Sequence, residues 1–230
     1  MKAMVLAAGL GTRLRPLTDH RPKALVEVAG RTMLEITLAR LRDVGIRDVI
    51  INVHHFADMV VDYLKTNNDF GMHIEISREE VLLDTGGGLK NAGWFFSGDS
   101  EPFILHNVDV ISTIDLQRML EFHAVNQSLA TLAVQDRKTS RPLTFDEKLQ
   151  LRGRGAGLAF AGIHVISPRL LPMLKEEGAF SIIASYLDLA ARGERILAFG
   201  ADEYYWRDLG RPDNVRLASE DLKHGLRRLE

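Results

Sequence analysis

The chain has 230 residues, a net charge of −2 at pH 7 and no cysteine. The absence of cysteine excludes disulfides, thiolate catalysis and cysteine-ligated metals, and the near-neutral charge provides no basic field for nucleic acid. No uninterrupted apolar run approaches the roughly 20 residues needed to cross a bilayer. We therefore expect one cytoplasmic α/β domain over residues 1–230, with no nucleic-acid or membrane partner and the number of subunits left open.

The first predicted element is a short buried strand, Met4–Ala7, and a glycine-containing loop follows it directly. Gly9 and Gly11 allow the backbone of this loop to approach a ligand closely. Backbone amides in such a loop can bind phosphate oxygens, and Arg13 and Lys23 add positive charge. The pattern predicts a phosphate-binding site at the end of the strand.

Two well-known glycine motifs do not match this loop. Leu14 stands where a dinucleotide fingerprint requires its third glycine. Lys23 lies between Pro22 and Ala24, whereas the phosphate loop of ATPases ends in Gly-Lys-Ser/Thr. An ordinary glycine turn between strand and helix is the simpler alternative, but it leaves the basic, proline-marked continuation unexplained.

Strand and helix patterns then alternate along the chain, and repeated βα units predict a mainly parallel sheet. The further predicted strands are Leu25–Val28, Val49–Val53, His73–Ser77, Pro102–His106, Ala130–Gln135, Leu158–Ile166 and Ile196–Phe199, with a hairpin within residues 136–157. The predicted helices are Met33–Val44 behind the cap Thr32, Ala57–Thr66, one from Leu89, one from the cap Asp115 to Asn126, one from Pro168, Ile182–Arg192 and a terminal helix.

Two polar or glycine-rich segments lie between these elements. His54 and His55 follow a strand, but no third ligand stands at helical spacing, so a polar loop is favoured over a metal site. Gly86, Gly87 and Gly88 precede the helix predicted from Leu89, and they leave no side chains to keep a planar ligand away from the backbone. A flexible linker is the alternative for this glycine run.

Asp109 and Asp208 each follow an apolar or aromatic strand. Ligands of parallel α/β sheets bind at the carboxyl ends of the strands, so we expect Asp109 to lie near the Gly9–Arg13 loop. Magnesium prefers a few carboxylates together with water and ligand phosphates. The two aspartates are therefore candidate Mg²⁺ ligands, with a helix cap or a surface charge as the alternative for each.

Four ordered motifs carry a family resemblance: the Gly9–Thr18 loop with Pro22–Leu25 behind it, then Asp84–Gly88, Asn107–Val110 and Trp206–Pro212. Together they resemble the signature of the sugar-phosphate nucleotidyltransferases over nearly the whole chain. The resemblance implies a three-layer, mainly parallel Rossmann-like sheet of the nucleotide-diphospho-sugar transferase type. It also implies transfer of a nucleoside monophosphate from a nucleoside triphosphate to a sugar 1-phosphate, with release of pyrophosphate.

The resemblance further implies roles for individual residues. Catalysis would fall to Arg13, Lys23, Asp109 and Asp208, with Mg²⁺ held by the two aspartates. Nucleotide contacts would come from Ala8, Gly9, Gly11, Thr12, Arg13, Lys23, Glu79, Thr85, Gly86 and Gly87, and sugar-phosphate contacts from Asn107 and Gly157. Many relatives have glutamine where this chain has Glu79 and Glu80, and a carboxylate can accept from uracil or from guanine. The Thr85–Gly88 variant and the compact length most resemble the uridylyltransferases of the family, which implies UTP, with GTP and mannose or heptose 1-phosphate as the alternative.

Two other functions stay open at this point. One is a phosphocholine cytidylyltransferase using CTP, in which Tyr204, Tyr205 and Trp206 would surround the cationic acceptor. An aromatic strand packed in the core accounts for the same three residues equally well. The other is a non-catalytic nucleotide- or sugar-binding module, because residues 136–157 match the family pattern poorly.

Overall fold

The computed structural model describes residues 1–223. The strands are β1 Lys2–Leu6, β2 Glu27–Val28, β3 Arg31–Thr32, β4 Asp48–Val53, β5 His73–Arg78, β6 Phe103–Asn107, β7 Val110–Ser112, β8 Ala130–Gln135, β9 Leu143–Phe145, β10 Leu151–Arg154, β11 Ala159–Ile166, β12 Ile196–Gly200 and β13 Trp206–Asp208. The α-helices are α1 Met33–Asp43, α2 Ala57–Thr66, α3 Asp84–Asn91, α4 Leu116–Val125, α5 Ile182–Ala191 and α6 Pro212–Lys223.

A seven-stranded sheet in the order β12-β8-β11-β6-β1-β4-β5 forms the centre of the molecule. Strand β11 runs antiparallel to both of its neighbours, and the other adjacent strands of this sheet are parallel. The predicted mainly parallel sheet is therefore confirmed. The short pairs β2–β3, β9–β10 and β7–β13 form three separate two-stranded ladders.

Alternate side chains of the central strands bury into two different cores, because successive residues of a strand point to opposite faces. In β1, Ala3 and Val5 join the core that also contains apolar residues of α1, α2, α4 and α6. Met4 and Leu6 join the second core, with residues of α3 and α5. Helices thus cover both faces, which is the three-layer arrangement that the sequence predicted.

Most predicted boundaries agree with the structure, and both predicted caps are present. The Thr32 hydroxyl accepts from the Glu35 amide at 3.1 Å, and the Asp115 carboxylate accepts from the Arg118 amide at 3.0 Å. The helix predicted from Pro168 is instead a 3-10 helix, Pro168–Met173. It contains a second proline, Pro172, which has no amide hydrogen to continue an α-helical ladder.

The glycine run was placed wrongly by the sequence reasoning. Helix α3 begins at Asp84 and not at Leu89, so Gly86, Gly87 and Gly88 lie inside the helix and are buried there. A Cβ at Gly87 would lie 2.4 Å from the Gly178 carbonyl oxygen, and a Cβ at Gly86 would lie 2.3 Å from the Phe180 ring. The run is therefore a close-packing surface of a helix, and not a flexible linker.

The close packing of α3 predicts that adding one methyl group at Gly87 destabilises the fold. A Cβ at Gly87 meets a backbone carbonyl that cannot rotate away, and overpacking of this kind commonly costs about 1–3 kcal/mol. The better helix propensity of alanine offsets at most about 1 kcal/mol of that cost. We expect Gly87→Ala to lower the free energy of unfolding, measured by urea denaturation. Gly200→Ala is the matched control, because nothing lies within 4 Å of a Cβ there; equal stability of the two variants would contradict the close-packing role.

Candidate active site

The loop that follows β1 is held in shape by glycine conformation and by Thr18. Gly11 has a φ of +66°, in the left-handed region that favours glycine. The Thr18 hydroxyl donates to the Gly11 carbonyl at 2.8 Å, and a Cβ at Gly11 would lie 2.9 Å from the Thr18 methyl group. The loop then exposes Thr12 and Arg13, which belong to a 3-10 helix, Thr12–Leu14.

Lys23 returns from the far end of this loop to the carboxyl end of β6. Its ammonium donates to Oδ2 of Asp109 at 2.9 Å, between side chains that are only 14% and 13% exposed. A Cβ at Gly9 would lie 3.2 Å from the Lys23 nitrogen, so the glycine leaves the space through which the lysine passes. The loop and the central sheet are thus joined by a largely buried ion pair.

The charge state of Asp109 follows from its surroundings. Burial raises the pKa of Asp109, but the Lys23 ammonium lowers it through charge and a hydrogen bond. A backbone hydrogen bond of Asp109 itself and the charge of Arg13 lower it further. The net result is a pKa below the usual value of an aspartate. The carboxylate is therefore ionised at neutral pH, as a ligand of a hard cation must be.

Strand pairing brings the second aspartate beside the first. In the antiparallel β7–β13 ladder, Asp208 is the partner of Val110, and the Leu209 amide donates to the Asp109 carbonyl at 2.8 Å. The Gly210 amide donates to Oδ1 of Asp208 at 2.9 Å. The Arg13 guanidinium also lies beside Gly210, since a Cβ at Gly210 would lie 2.8 Å from Nη2 of Arg13.

The structure therefore brings together the four residues that were predicted to act in catalysis. Arg13 and Lys23 come from the loop after β1, Asp109 from the turn after β6, and Asp208 from the end of β13. These elements are far apart in sequence, and each contributes its residue at a strand end or in the loop that follows.

A cavity of about 350 Å³ lies beside these residues. Seven predicted site residues line it, namely Ala8, Gly9, Lys23, Glu79, Thr85, Asn107 and Asp109. Gly11, Thr12, Arg13 and Asp208 lie outside its lining, at the loop and the ladder described above. The size of the cavity suits part of a nucleotide.

Two buried polar side chains that line this cavity, Glu79 and Asn52, are hydrogen-bonded to each other. Oδ1 of Asn52 accepts from the Ala7 amide at 2.7 Å, and its Nδ2 donates to Oε1 of Glu79 at 2.7 Å. Oε2 of Glu79 accepts from the Leu83 amide at 3.0 Å. Glu79, predicted as a base contact, thus connects β1 to the segment before α3. Sequence reasoning missed Asn52, although a polar residue within the apolar run of β4 was a usable signal.

Three glycines that were predicted as substrate contacts have other neighbours in the structure. The amides of Gly86 and Gly87 both donate to the Phe180 carbonyl, at 2.9 and 3.3 Å, which leaves neither amide free for a phosphate. Gly157 packs against β9, where a Cβ would lie 2.1 Å from the Leu143 carbonyl oxygen. None of these three glycines, Gly86, Gly87 and Gly157, lines the cavity. All three are glycine because of close packing.

The donor set fits Mg²⁺ better than a transition metal. Lys23 donates to Oδ2 of Asp109 and the Gly210 amide donates to Oδ1 of Asp208, and each carboxylate keeps further acceptor positions for a cation. Two carboxylates completed by water and phosphate oxygens are the set that Mg²⁺ prefers. Within residues 1–223 no group of three or more His, Cys, Asp or Glu residues is placed to hold a metal. His54 instead shares a 2.8 Å hydrogen bond with the Glu79 carbonyl.

Comparison with known proteins agrees with this geometry. A family model described as Nucleotidyl transferase matches residues 2–145. N-acetylmuramate alpha-1-phosphate uridylyltransferase of Caulobacter vibrioides is 35% identical over 236 residues, which cover 95% of each chain. Mannose-1-phosphate guanyltransferase of Yarrowia lipolytica is 31% identical over 92% of this chain and 61% of its own length. This chain thus spans about three fifths of the fungal protein.

Two solved structures share the fold. HddC from Yersinia pseudotuberculosis, in complex with GMP-PN, superposes with a TM-score of 0.80 at 24% identity, over 96% of this chain and 99% of that one. A putative glucose-1-phosphate thymidylyltransferase from Bacillus anthracis, in complex with a sucrose, superposes with a TM-score of 0.84 at 17% identity, over 96% and 94%.

The chain therefore belongs to the nucleotidyl transferase family. Within that family it is a sugar-1-phosphate nucleotidyltransferase, in agreement with the relatives that cover nearly all of it. Enzymes of this kind use a nucleoside triphosphate and a sugar phosphate, and they generally require a divalent metal. No helix within residues 1–223 is long and apolar enough to cross a membrane.

The Lys23–Asp109 pair predicts a pH-dependent effect of Lys23→Met. Without the ammonium, the main influence that lowers the pKa of Asp109 is lost and burial raises this pKa. The charged carboxylate then lowers the free energy of unfolding by about 1–3 kcal/mol at pH 7. In the unmodified chain the lowered pKa of Asp109 stabilises the fold above the unfolded value of about 3.9, and this contribution is lost as the pH falls through the folded value.

We therefore expect the stability deficit of Lys23→Met to be largest at neutral pH and to shrink toward pH 3, in urea denaturation at a series of pH values. Arg216→Met removes one partner of an exposed pair with Glu220 and serves as the control, with an expected loss below about 1 kcal/mol. A deficit for Lys23→Met that does not depend on pH would contradict the ion-pair interpretation.

Proposed function

We propose that this enzyme transfers a uridylyl group from UTP to N-acetylmuramate 1-phosphate, with Mg²⁺ as its metal, and releases pyrophosphate. The observation that carries the proposal is the convergence of Lys23, Asp109 and Asp208 beside the glycine loop. The choice of base and sugar draws on the Caulobacter relative, which matches this chain over 95% of both lengths.

The reaction begins with attack of an oxygen of the sugar 1-phosphate on the α-phosphorus of UTP. A new oxygen–phosphorus bond forms, the bond from the α-phosphorus to the bridging oxygen breaks, and pyrophosphate leaves with that electron pair. The attacking phosphate is already ionised at neutral pH, so no general base is required. Catalysis of such a transfer depends mainly on positioning and on neutralisation of charge.

Each residue of the site has a matching task in this reaction. The exposed guanidinium of Arg13, together with the amides of Gly11 and Thr12, binds the departing β- and γ-phosphates. Lys23 lies close to Asp109 and neutralises charge on the α-phosphate as the two anions approach each other. Asp109 and Asp208 hold Mg²⁺, which when bound supplies positive charge to the reacting phosphates.

GTP with mannose 1-phosphate is the second candidate, because the fungal relatives act on that pair by name and HddC was solved with GMP-PN. The carboxylate of Glu79 could accept from either base. The phosphocholine alternative loses its support, because the ring of Trp206 is covered by the Arg137 guanidinium at 3.6 Å and its Nε1 donates to the Ala161 carbonyl. We place the reaction in the cytoplasm, where UTP is available.

The first test is substrate turnover. We expect pyrophosphate release with UTP and N-acetylmuramate 1-phosphate to exceed release with GTP and mannose 1-phosphate by at least about tenfold in kcat/KM. The panel also includes CTP with phosphocholine. A higher kcat/KM for the GTP pair would select the second candidate, and absence of turnover with every pair, from folded protein, would contradict the proposed function.

The second test removes charge from the metal site without changing its shape. Asp109→Asn and Asp208→Asn should each lower kcat at limiting Mg²⁺ by about a hundredfold or more, because a neutral amide keeps the shape of the carboxylate but loses the negative charge that holds a hard cation. Asp115→Ala is the control: the loss of the α4 cap should reduce the free energy of unfolding by about 1 kcal/mol and leave kcat unchanged. Near-normal turnover of both asparagine variants would exclude the assigned metal ligands.

A further inference from the structure

A second cavity, of about 600 Å³, has no role in the reaction described so far. Arg141 and Arg154 both line it, together with Ser140, Gly155 and Ser181. No aspartate or glutamate from the described part of the chain lines it. Neither arginine side chain has an ion pair within residues 1–223, whereas Arg152 of the same hairpin pairs with Asp146 at 2.6 Å. The cavity therefore presents two uncompensated cations.

The position of this cavity connects it to the acceptor half of the active site. Ala179 lines the catalytic cavity and Ser181 lines the second cavity, so one short segment separates the two. The nucleotide residues lie at β1, β4 and β5, on one side of the sheet order, whereas β9 and β10 connect β8 to β11 on the other side. An acceptor that reaches Asp109 from this other side extends toward Arg141 and Arg154.

The backbone around the two arginines is fixed by close packing. Leu143 and Leu158 exchange two backbone hydrogen bonds, at 2.8 and 2.9 Å, and the Thr144 hydroxyl donates to the Ala156 carbonyl at 3.1 Å. Gly157 allows this contact, since any Cβ would collide with the Leu143 carbonyl. Arg154, the last residue of β10, pairs with Leu143 of β9 and is thus held near the residues that follow Arg141. Such preorganisation lowers the entropic cost of binding an anion.

We propose that Arg141 and Arg154 form a subsite for a carboxylate carried by the acceptor sugar, distinct from its 1-phosphate. This inference rests on the proposed function, because it names a feature of the same acceptor. Guanidinium groups bind carboxylates through charge-assisted, often bidentate hydrogen bonds. N-acetylmuramate carries such a carboxylate on its lactyl ether, whereas N-acetylglucosamine is the same sugar without that group. The pair of arginines would therefore select an acidic acceptor over a neutral one.

The test compares these two acceptors in Arg141→Gln, Arg154→Gln and the double variant, by steady-state kinetics with UTP. Both arginines are exposed in the unliganded chain, and loss of one charge-assisted hydrogen bond to the acceptor should raise KM for N-acetylmuramate 1-phosphate about tenfold. KM for N-acetylglucosamine 1-phosphate and for UTP should stay within about twofold. Arg152→Gln, on the same hairpin, is the matched control and should leave KM unchanged for all three substrates.

Two kinetic outcomes would overturn the subsite. One is an unchanged KM for the acidic acceptor in the double variant. The other is an equal rise for both acceptors, which would mean that the arginines act on the shared phosphate or on the fold. A wild-type enzyme with no preference for the acidic acceptor would also contradict the proposal.

Binding of unphosphorylated N-acetylmuramate, measured by calorimetry, separates this proposal from the proposed function. We expect wild-type protein to bind it more tightly than the double variant does, and more tightly than either protein binds N-acetylglucosamine. This difference would support the subsite even if no sugar 1-phosphate were turned over. Equal binding by wild type and double variant would overturn the subsite even if the enzyme proved to be a uridylyltransferase.

Discussion

The ion pair between Lys23 and Asp109 is the interaction on which the rest of the site depends. It joins the loop after β1 to the turn after β6, and both side chains are largely shielded from water. A buried pair of this kind contributes little net stability, because desolvation offsets much of the attraction. The main contribution of the Lys23–Asp109 pair is to fix the positions of the two charged groups. It holds a cation and an anion in place before substrate arrives, so that little reorganisation is left for the reaction.

The second aspartate depends on a ladder outside the central sheet. Asp208 lies at the end of β13, and that strand is held from two directions. Pairing with β7 aligns it with the turn that contains Asp109, and Trp206 attaches it to β11 through the Ala161 carbonyl. In β11, Gly162 adopts a φ of +79°, and a Cβ there would lie 2.8 Å from a methyl group of Val110. The glycine lets β11 pass close to the strand on which Asp208 is aligned.

Much of this arrangement was predictable, and the reason lies in strand direction. Parallel strands collect their carboxyl ends at one edge of a sheet, so the Gly9–Arg13 loop and Asp109 could be placed together from sequence order. The glycine run could not be assigned in this way, because glycine serves either for an unusual backbone conformation or for the absence of a side chain. In α3 the glycines serve for the absence of a side chain. The carbonyl that leaves no room for a Cβ at Gly87 belongs to Gly178, about ninety residues later in the sequence. Asn52 escaped notice for a related reason: its partners, Ala7 and Glu79, lie on neighbouring strands or just beyond them.

The distribution of charge explains how a slightly acidic protein can bind two highly anionic substrates. The net charge of −2 describes the whole surface, and it says nothing about the field inside a cleft. In the proposed reaction, Arg13 and Lys23 would bind phosphates of the nucleotide, whereas Arg141 and Arg154 line a separate cavity proposed for the acceptor. Several other arginines within residues 1–223 are paired with nearby carboxylates, as Arg152 is with Asp146 and Arg216 is with Glu220. Arg13, Arg141 and Arg154 have no such ion pair in that part of the chain, so they would be available to phosphates and to a carboxylated sugar. Local pairing, and not overall composition, decides which anions this surface attracts.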